Sequence, residues 1–263
     1  MIVIERRNKI REILMKKRSV KVTELVHEFQ VSEETIRRDL IQLEKDGLVQ
    51  KNYGGAILME DLHKTQDIIL PVELRELQYF KEKDAIGKRA AQLIQEGQII
   101  ILDAGSTTWC MARHLHEINN LTVITNALNV IEECSVNQSA SIFMLGGELR
   151  RNSKSMIGPQ TQSEIQKYNA DYVFLGTSGI SIRQGFTSSD LYEAQIKQAM
   201  VSAGQKIVLM ADHSKLQKTG LVSFCNFEEV DYLITSDLAD QHILEEIESF
   251  GVEVIIASTL IAK

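Results

Sequence analysis

The sequence predicts an α/β protein in two parts: a small N-terminal helical domain closed by a β-hairpin, and a larger domain with a mostly parallel sheet covered by helices on both faces. Three observations predict it. Apolar residues recur at helical spacing over the first 45 or so positions and then yield to a glycine-tipped extended stretch. From Gln98 onward, short apolar runs alternate with helical patterns, which implies a parallel sheet with crossover helices. Charge also divides the chain. Residues 1–59 hold 12 Lys and Arg against 9 Asp and Glu, a balance of +3, while the remainder carries −10 of the overall −7. Opposite signs in the two parts point to different partners.

Ile10, Ile13 and Leu14 fall at i, i+3, i+4 spacing and mark a helix from about Glu5 to Lys17. Val20 and Val22 form a short extended link. A second helix begins near Val22, with Thr23 as its expected cap and Leu25, Val26 and Phe29 facing inward. Gln30-Val31-Ser32 makes a tight turn, and Ser32 caps a third helix whose buried stripe is Ile36, Leu40 and Leu43. Gly47 ends that helix, and 48–57 reads as a hairpin tipped by Gly54 and Gly55. Two short helices around a tight turn, followed by a β-wing, are the winged helix-turn-helix. Its second helix enters the major groove with its first residues against base edges. Arg37 and Arg38 suit that position, since guanidinium grips guanine bidentately or neutralises phosphate. Thr35 offers a contact to phosphate or a thymine methyl, and Lys51 adds a backbone contact from the wing.

The run Val31-Ser32-Glu33-Glu34-Thr35-Ile36-Arg37-Arg38-Asp39-Leu40, then Leu43-Glu44, Gly47-Leu48 and Gly54-Gly55-Ala56, resembles the DeoR-type family of bacterial sugar-operon repressors. The resemblance implies operator DNA as a partner, with Ser32, Thr35, Arg37, Arg38, Lys51 and Tyr53 as its contacts. Tyr53 departs from the histidine frequent at that wing position, which bears on operator preference.

Met59 to Leu70 is polar and aperiodic and precedes Pro71, one of two prolines. The expected division is a DNA-binding domain over 1–58, a linker over 59–75 and an effector domain over 76–263. Val72 to Gln95 reads as largely helical, with Ala85, Ile86, Ala90 and Leu93 on its buried face. Gln98 then opens a buried strand that runs into Asp103-Ala104-Gly105-Ser106-Thr107-Thr108, and a helix is expected from Trp109 to Glu117. A strand feeding a Gly-Ser-Thr turn at a helix start leaves N–H groups unpaired in the positive end of the helix dipole, a site for an anion and above all a phosphate.

Further strands are expected over 121–125, 141–145, 171–176, 206–211, 232–235 and 252–256, with helices over 129–134, 191–203 and 241–249. Ligands of such sheets bind beyond the carboxyl ends of the strands. Those ends carry Asp103 to Thr108, Thr125-Asn126, Gly146-Gly147, Gly176-Thr177-Ser178-Gly179 and Asp212-His213-Ser214-Lys215. Lys215 is placed to neutralise an anion held at Ser106. Adjacent Asp212, His213 and Ser214 do not converge as a nucleophilic triad. His114 and His116 do not share a helix face, so no metal site is expected. Glu193 and Lys197, at i, i+4, read as a surface helix pair.

The same resemblance continues through Gly146-Gly147-Glu148-Leu149-Arg150, Gly158-Pro159, Gly179-Ile180, Gly185-Phe186-Thr187, Glu193 and Ala211-Asp212-His213-Ser214-Lys215. The effector domain of that family is similar to ribose-5-phosphate isomerase. The isomerase's phosphate turn corresponds to Gly105-Ser106-Thr107, its N-terminal lysine to Lys83, and its later glutamate to Glu193. Its acidic Asp-Gly-Ala-Asp-Glu stretch has no counterpart, because Gly176-Thr177-Ser178-Gly179-Ile180 stands there. The expected phosphate ligands are Lys83, Gly105, Ser106, Thr107, Thr108 and Lys215, and the expected sugar ligands are Asp103, Asn126, Arg150 and Glu193. Proton shuffling between sugar carbons needs a paired acid and base. The domain is therefore expected to sense a phosphorylated sugar rather than convert it, with a DNA-tethered isomerase as the alternative.

No cofactor pattern is present, and the scattered Cys110, Cys134 and Cys225 suit a reducing compartment. No apolar run approaches the ~18 residues of a membrane span and no secretory signal opens the sequence, so a cytoplasmic protein is expected. A dimer or tetramer is expected from the two-fold logic of operator binding.

Overall fold

A computed structural model of the chain describes residues 3–17, 19–45, 48–52, 54–58 and 71–259. The chain separates into two compact units, 1–78 and 79–263.

In the smaller unit, α1 (Val3–Lys17) leads through β1 (Ser19–Lys21) into α2 (Val22–Phe29) and α3 (Glu33–Lys45). The wing strands are β2 (Val49–Asn52) and β3 (Gly55–Leu58), and α4 (Val72–Leu77) also belongs to this unit. The expected stripes pack together: Ile10 and Leu14 meet Leu25, Ile36, Leu40 and Leu43, with Leu74 of α4 in the same cluster. Gln30 ends α2 in the left-handed region at φ 52°, its N–H donating to the Val26 carbonyl at 2.9 Å. Thr23 does not cap α2. The cap position is Lys21, two residues earlier, and the N–H of Val22, the first helical residue, is taken by the Gly54 carbonyl at 2.9 Å. The wing reaches the helices because β1 pairs with β3, giving the sheet order β1-β3-β2. That pairing needs Gly55, where a Cβ would stand 1.9 Å from the Val20 carbonyl oxygen. Gly47 and most of the expected linker, 59–70, lie outside the described residues.

The larger unit opens with α5 (Phe80–Ala91). The expected continuous helix from Val72 is interrupted at Tyr79, which stands in the left-handed region at φ 52°. Seven strands among the described residues form one parallel sheet. In chain order they are β4 (Ile99–Leu102), β5 (Thr122–Thr125), β6 (Ser141–Met144), β9 (Ala170–Gly176), β12 (Gly204–Met210), β14 (Tyr232–Ser236) and β15 (Glu253–Ala257). Their spatial order is β15-β14-β12-β9-β4-β5-β6.

Alternate residues of each strand face opposite sides. Ile100, Leu102, Phe174, Val208 and Met210 share one core with α5, α6 (Ser106–Ala112) and α7 (Leu128–Cys134). Ile101, Val173, Leu175 and Leu209 share the other with α8 (Pro159–Ile165), α9 (Leu191–Ser202) and α10 (Gln241–Glu248). Gly87 lets α5 lie against α6, where a Cβ would meet the Met111 nitrogen at 2.6 Å.

Two small antiparallel elements were not expected from the sequence. One is the hairpin β7 (Glu148–Arg150) with β8 (Ser155–Ile157); the other is a sheet of β10 (Gly179–Ser181), β11 (Gly185–Ser188) and β13 (Val222–Cys225). Among the described residues no helix is long and apolar enough to cross a membrane.

Candidate functional site

On the smaller unit, the expected DNA-reading face is the first turns of α3. Ser32 caps it, its hydroxyl accepting the Thr35 N–H at 3.3 Å and lying 2.8 Å from the Thr35 hydroxyl. Arg37 Nε donates to Glu33 at 2.9 Å, and Arg38 Nη2 donates to Glu34 at 2.6 Å. The arginine side chains remain 47% and 75% exposed. Exposed i, i+4 pairs are worth at most about 1 kcal/mol, so either guanidinium can leave its glutamate for another anion at small cost. Lys51 is held to α3: its N–H donates to Glu44 at 3.0 Å, and its ammonium lies 3.8 Å from the same carboxylate. Tyr53 lies outside the described residues.

Behind that face, Asp39 is buried and accepts from Arg6 Nε at 2.6 Å and Arg7 Nε at 2.8 Å, fastening α1 to α3. Sequence reasoning missed this. The signal was present, because Asp39 follows Ile36 by three and shares its inward stripe, where a carboxylate demands a cation. Replacing Arg37 or Arg38 with glutamine is expected to lower the slope of log K against log salt by about 0.9 for a lost phosphate contact. A variant that loses a base contact instead relaxes sequence preference. Anisotropy titrations over a salt series on matched and scrambled duplexes check this, and two variants unchanged in both respects would contradict it.

On the larger unit, the polar residues gather at the carboxyl rim of the sheet, where Ser236, Asp212, Gly176, Asp103 and Asn126 end or closely follow β14, β12, β9, β4 and β5, neighbours in that order. Asp103 is nearly inaccessible. Its N–H donates to the Phe174 carbonyl at 3.1 Å, and its Oδ2 accepts the Gly176 N–H at 3.1 Å and the Lys197 ammonium. Lys197 Nζ also donates to the Gly176 carbonyl at 2.9 Å and lies 5.4 Å from the centre of the Phe224 ring. Lys197 is therefore no surface partner of Glu193. It is 5% exposed and closes a triangle over the ends of β4 and β9. Burial pushes the Asp103 carboxyl above its ordinary value against the pull of Lys197 and the Gly176 N–H.

Glu193, one turn before Lys197, has a buried Oε1 that accepts no hydrogen bond and lies 3.7 Å from Arg150 Nε. Arg150, carried on β7, is paired with Asp190. Asp190 also caps α9, accepting the Glu193 N–H at 3.0 Å. Burial pushes the Asp190 carboxyl up, but the Arg150 hydrogen bond and the amides at the helix start outweigh it and hold it below the usual range.

The expected anion turn forms the first turn of α6, which starts at Ser106 rather than Trp109. Among the described residues the hydroxyls of Ser106 and Thr107 make no hydrogen bond, and no carbonyl takes the N–H groups of residues 106–108. Thr108 differs, because its hydroxyl donates to the Gly105 carbonyl at 3.0 Å and leaves only its N–H to offer. Asn126 donates its amide to the Met156 carbonyl at 2.9 Å, while its buried Oδ1 accepts nothing.

Asp212 accepts the Ser214 N–H at 3.0 Å on Oδ1, and its buried Oδ2 accepts no hydrogen bond, with Lys83 Nζ at 3.9 Å. Lys83 is itself buried, and Lys215 is half-buried in the turn after Asp212. Glu82 Oε2 accepts the Ser236 hydroxyl at 2.5 Å and lies 2.7 Å from His213 Nδ1. Neither Glu82 nor Lys197 was anticipated as part of this rim.

A winged helix-turn-helix on one compact unit and a polar strand-end rim on another define a DNA-binding regulator with a sensor domain. Residues 6–61 match the DeoR-like helix-turn-helix domain, and residues 78–237, more than half the chain, match the DeoR C terminal sensor domain. The chain belongs to the DeoR family of transcriptional regulators. It is 34% identical over 255 residues to the HTH-type transcriptional regulator GlpR of Haloferax volcanii, covering 97% of this chain and 98% of that one. It is 33% identical to the regulator GolR of Listeria innocua, covering 98% and 100%. It is 31% identical to the Glycerol-3-phosphate regulon repressor of Escherichia coli, covering 92% and 98%. Among solved structures it is similar to ribose 5-phosphate isomerase A of Methanocaldococcus jannaschii at 18% identity, with a TM-score of 0.38 over 51% of this chain and 53% of that one.

Proposed function

We propose that the chain represses a carbohydrate-utilisation operon and that a phosphorylated sugar, bound at the carboxyl rim, controls its operator affinity. One observation carries the ligand class. Three buried acceptor oxygens, Asn126 Oδ1, Glu193 Oε1 and Asp212 Oδ2, share the rim with the unpartnered hydroxyls of Ser106 and Thr107. A buried acceptor without a donor costs about 1–3 kcal/mol. A sugar phosphate supplies both missing halves: its hydroxyls donate to the acceptors, and its phosphate accepts from the hydroxyls and the N–H groups of 106–108. In this reading Gly105 to Thr108 hold the phosphate, Lys83 and Lys215 neutralise it, and Asp103, Asn126, Arg150 and Glu193 meet the sugar, with Lys197 keeping Asp103 in place. The E. coli relative named for a glycerol-3-phosphate regulon supports a phosphorylated polyol.

The protein works in the cytoplasm as a homo-oligomer, dimer or tetramer, because one recognition helix reads one half-site. Effector binding favours an oligomer geometry in which paired recognition helices no longer match their half-sites. The rim senses rather than converts in this reading, because Asp103 is tied to Lys197 and Glu193 stands beside Arg150. Lys215→Ala is expected to leave operator binding intact while weakening release by the effector. A variant that releases operator DNA at the same sugar-phosphate concentration as the unmodified chain contradicts the assignment. Sustained aldose–ketose phosphate interconversion, abolished by Glu193→Gln, would establish the isomerase alternative instead.

A further inference from the structure

The first turn of α5 is tied both to the rim and to α6. The Tyr79 ring sits edge-on to His213, with centroids 5.1 Å apart. Phe80 lies 6.4 Å from the Trp109 ring, and the Arg113 guanidinium stands 5.3 Å from both rings. Glu82 holds Ser236 and His213, Lys83 faces Asp212, and Asp84 pairs with Arg113 and His114 at 3.3 and 3.0 Å. Trp109 follows the phosphate turn directly, and Gly87 keeps α5 against α6. The chain enters this turn straight from the smaller unit, whose last residue is Gln78, through Tyr79 in a left-handed backbone that a bulky residue adopts only under constraint.

The geometry points to this turn as the output of the sensor, with Glu82 and Tyr79 as positioning residues that pass occupancy of the rim to the segment leading into the DNA-binding unit. The inference rests on the sugar-phosphate reading above. Its physical basis is a charge exchange. Asp212 Oδ2 accepts no hydrogen bond and meets the Lys83 ammonium across 3.9 Å, both side chains being buried. A phosphate dianion reaching Lys83 competes with Asp212 for its charge and places new negative charge beside the neighbouring Glu82 carboxylate. The partners of two consecutive residues in one helical turn must then rebalance, and a helix turn moves as a unit. Glu82, fastened to Ser236 at the end of β14 and to His213 after β12, converts that local change into a displacement of α5 relative to the sheet. A ligand biases a two-state element only through such differential interactions.

The test uses the full chain, a duplex selected from random sequence for binding to it, and emission of Trp109, the single tryptophan of the sequence. The probes are glycerol 3-phosphate, fructose 1-phosphate, fructose 6-phosphate and inorganic phosphate. In the unmodified chain, a probe that shifts Trp109 emission is expected to weaken duplex binding by about 5–150-fold. In Tyr79→Gly, duplex affinity without probe and the midpoint of the Trp109 titration are each expected to stay within about threefold of the unmodified chain; in Glu82→Gln, which removes a negative charge near the phosphate, only duplex affinity without probe is expected to do so. The weakening of duplex binding at saturation is expected to fall below about threefold, well under ordinary coupling. If burial makes Glu82→Gln fail to fold, Tyr79→Gly decides, since glycine takes the left-handed conformation without strain and the tyrosine is half exposed. Full weakening in a folded variant overturns the inference and leaves the sugar-phosphate reading standing. No weakening by any probe in the unmodified chain overturns both.

Discussion

Replacing Lys197 with methionine is expected to destabilise the larger unit by about 3–5 kcal/mol at neutral pH, because it leaves a buried carboxylate without its cation. Methionine keeps most of the packing volume, so the loss isolates charge. Asp103 would retain the Gly176 N–H at 3.1 Å but lose the ammonium that also satisfies the Gly176 carbonyl. The pH dependence provides an internal control. Burial already raises the Asp103 carboxyl against the pull of Lys197. Without Lys197 it rises further, and the folded state binds this proton more tightly than the unfolded state. Stability of the variant therefore falls as pH rises through the raised folded-state value and recovers as pH drops below it. Urea titrations at neutral pH and at a pH within the carboxylate range should show the gap to the unmodified chain closing in acid. A gap that is constant with pH would mean that Lys197 contributes packing rather than charge.

Asp39→Ala is the counterpart in the smaller unit and is expected to cost a similar 3–5 kcal/mol or so. It leaves the buried Arg6 guanidinium unpaired and cuts the tie between α1 and α3. A unit of this size has little stability to lose, so operator binding should disappear while the larger unit continues to bind sugar phosphate. Arg6→Met should be more damaging than Arg7→Met, since the Arg6 side chain is 8% exposed and that of Arg7 is 30%. Far-UV melts and operator titrations measure this. An Asp39→Ala chain with unchanged operator affinity would show that the recognition helix stands without the buried pair.

Most of the sheet was legible in the sequence because a strand buried on both faces is a short apolar run. Ile99 to Leu102 is such a run, and the helices between runs announce themselves by spacing. The helix-turn-helix was legible for a related reason: Ile36, Leu40 and Leu43 form a clean stripe, and Ser32 caps the helix it begins. The small sheet of β10, β11 and β13 was not, since three- and four-residue strands rich in glycine and hydroxyls carry no periodicity. The break at Tyr79 was hidden because a tyrosine in the left-handed region is rare.

The rim was half legible. Residues that follow strands, such as Asp103, Asn126 and Asp212, are placed by the topology rule alone. Lys197 was read as a surface partner of Glu193 because helical spacing reports neighbours on one helix, whereas its real partner lies 94 residues away. Glu82 was hidden for the same reason, its hydroxyl partner being 154 residues distant.

The most direct measurement is the dissociation constant of the full chain for its selected duplex, titrated with a panel of phosphorylated sugars, the same sugars without phosphate, and inorganic phosphate. A phosphorylated sugar is expected to weaken duplex binding by about 5–150-fold, with the unphosphorylated sugar and inorganic phosphate each far less effective. Unchanged duplex affinity across the panel, or an unphosphorylated sugar acting as well as its phosphate, would contradict a sugar-phosphate-controlled repressor.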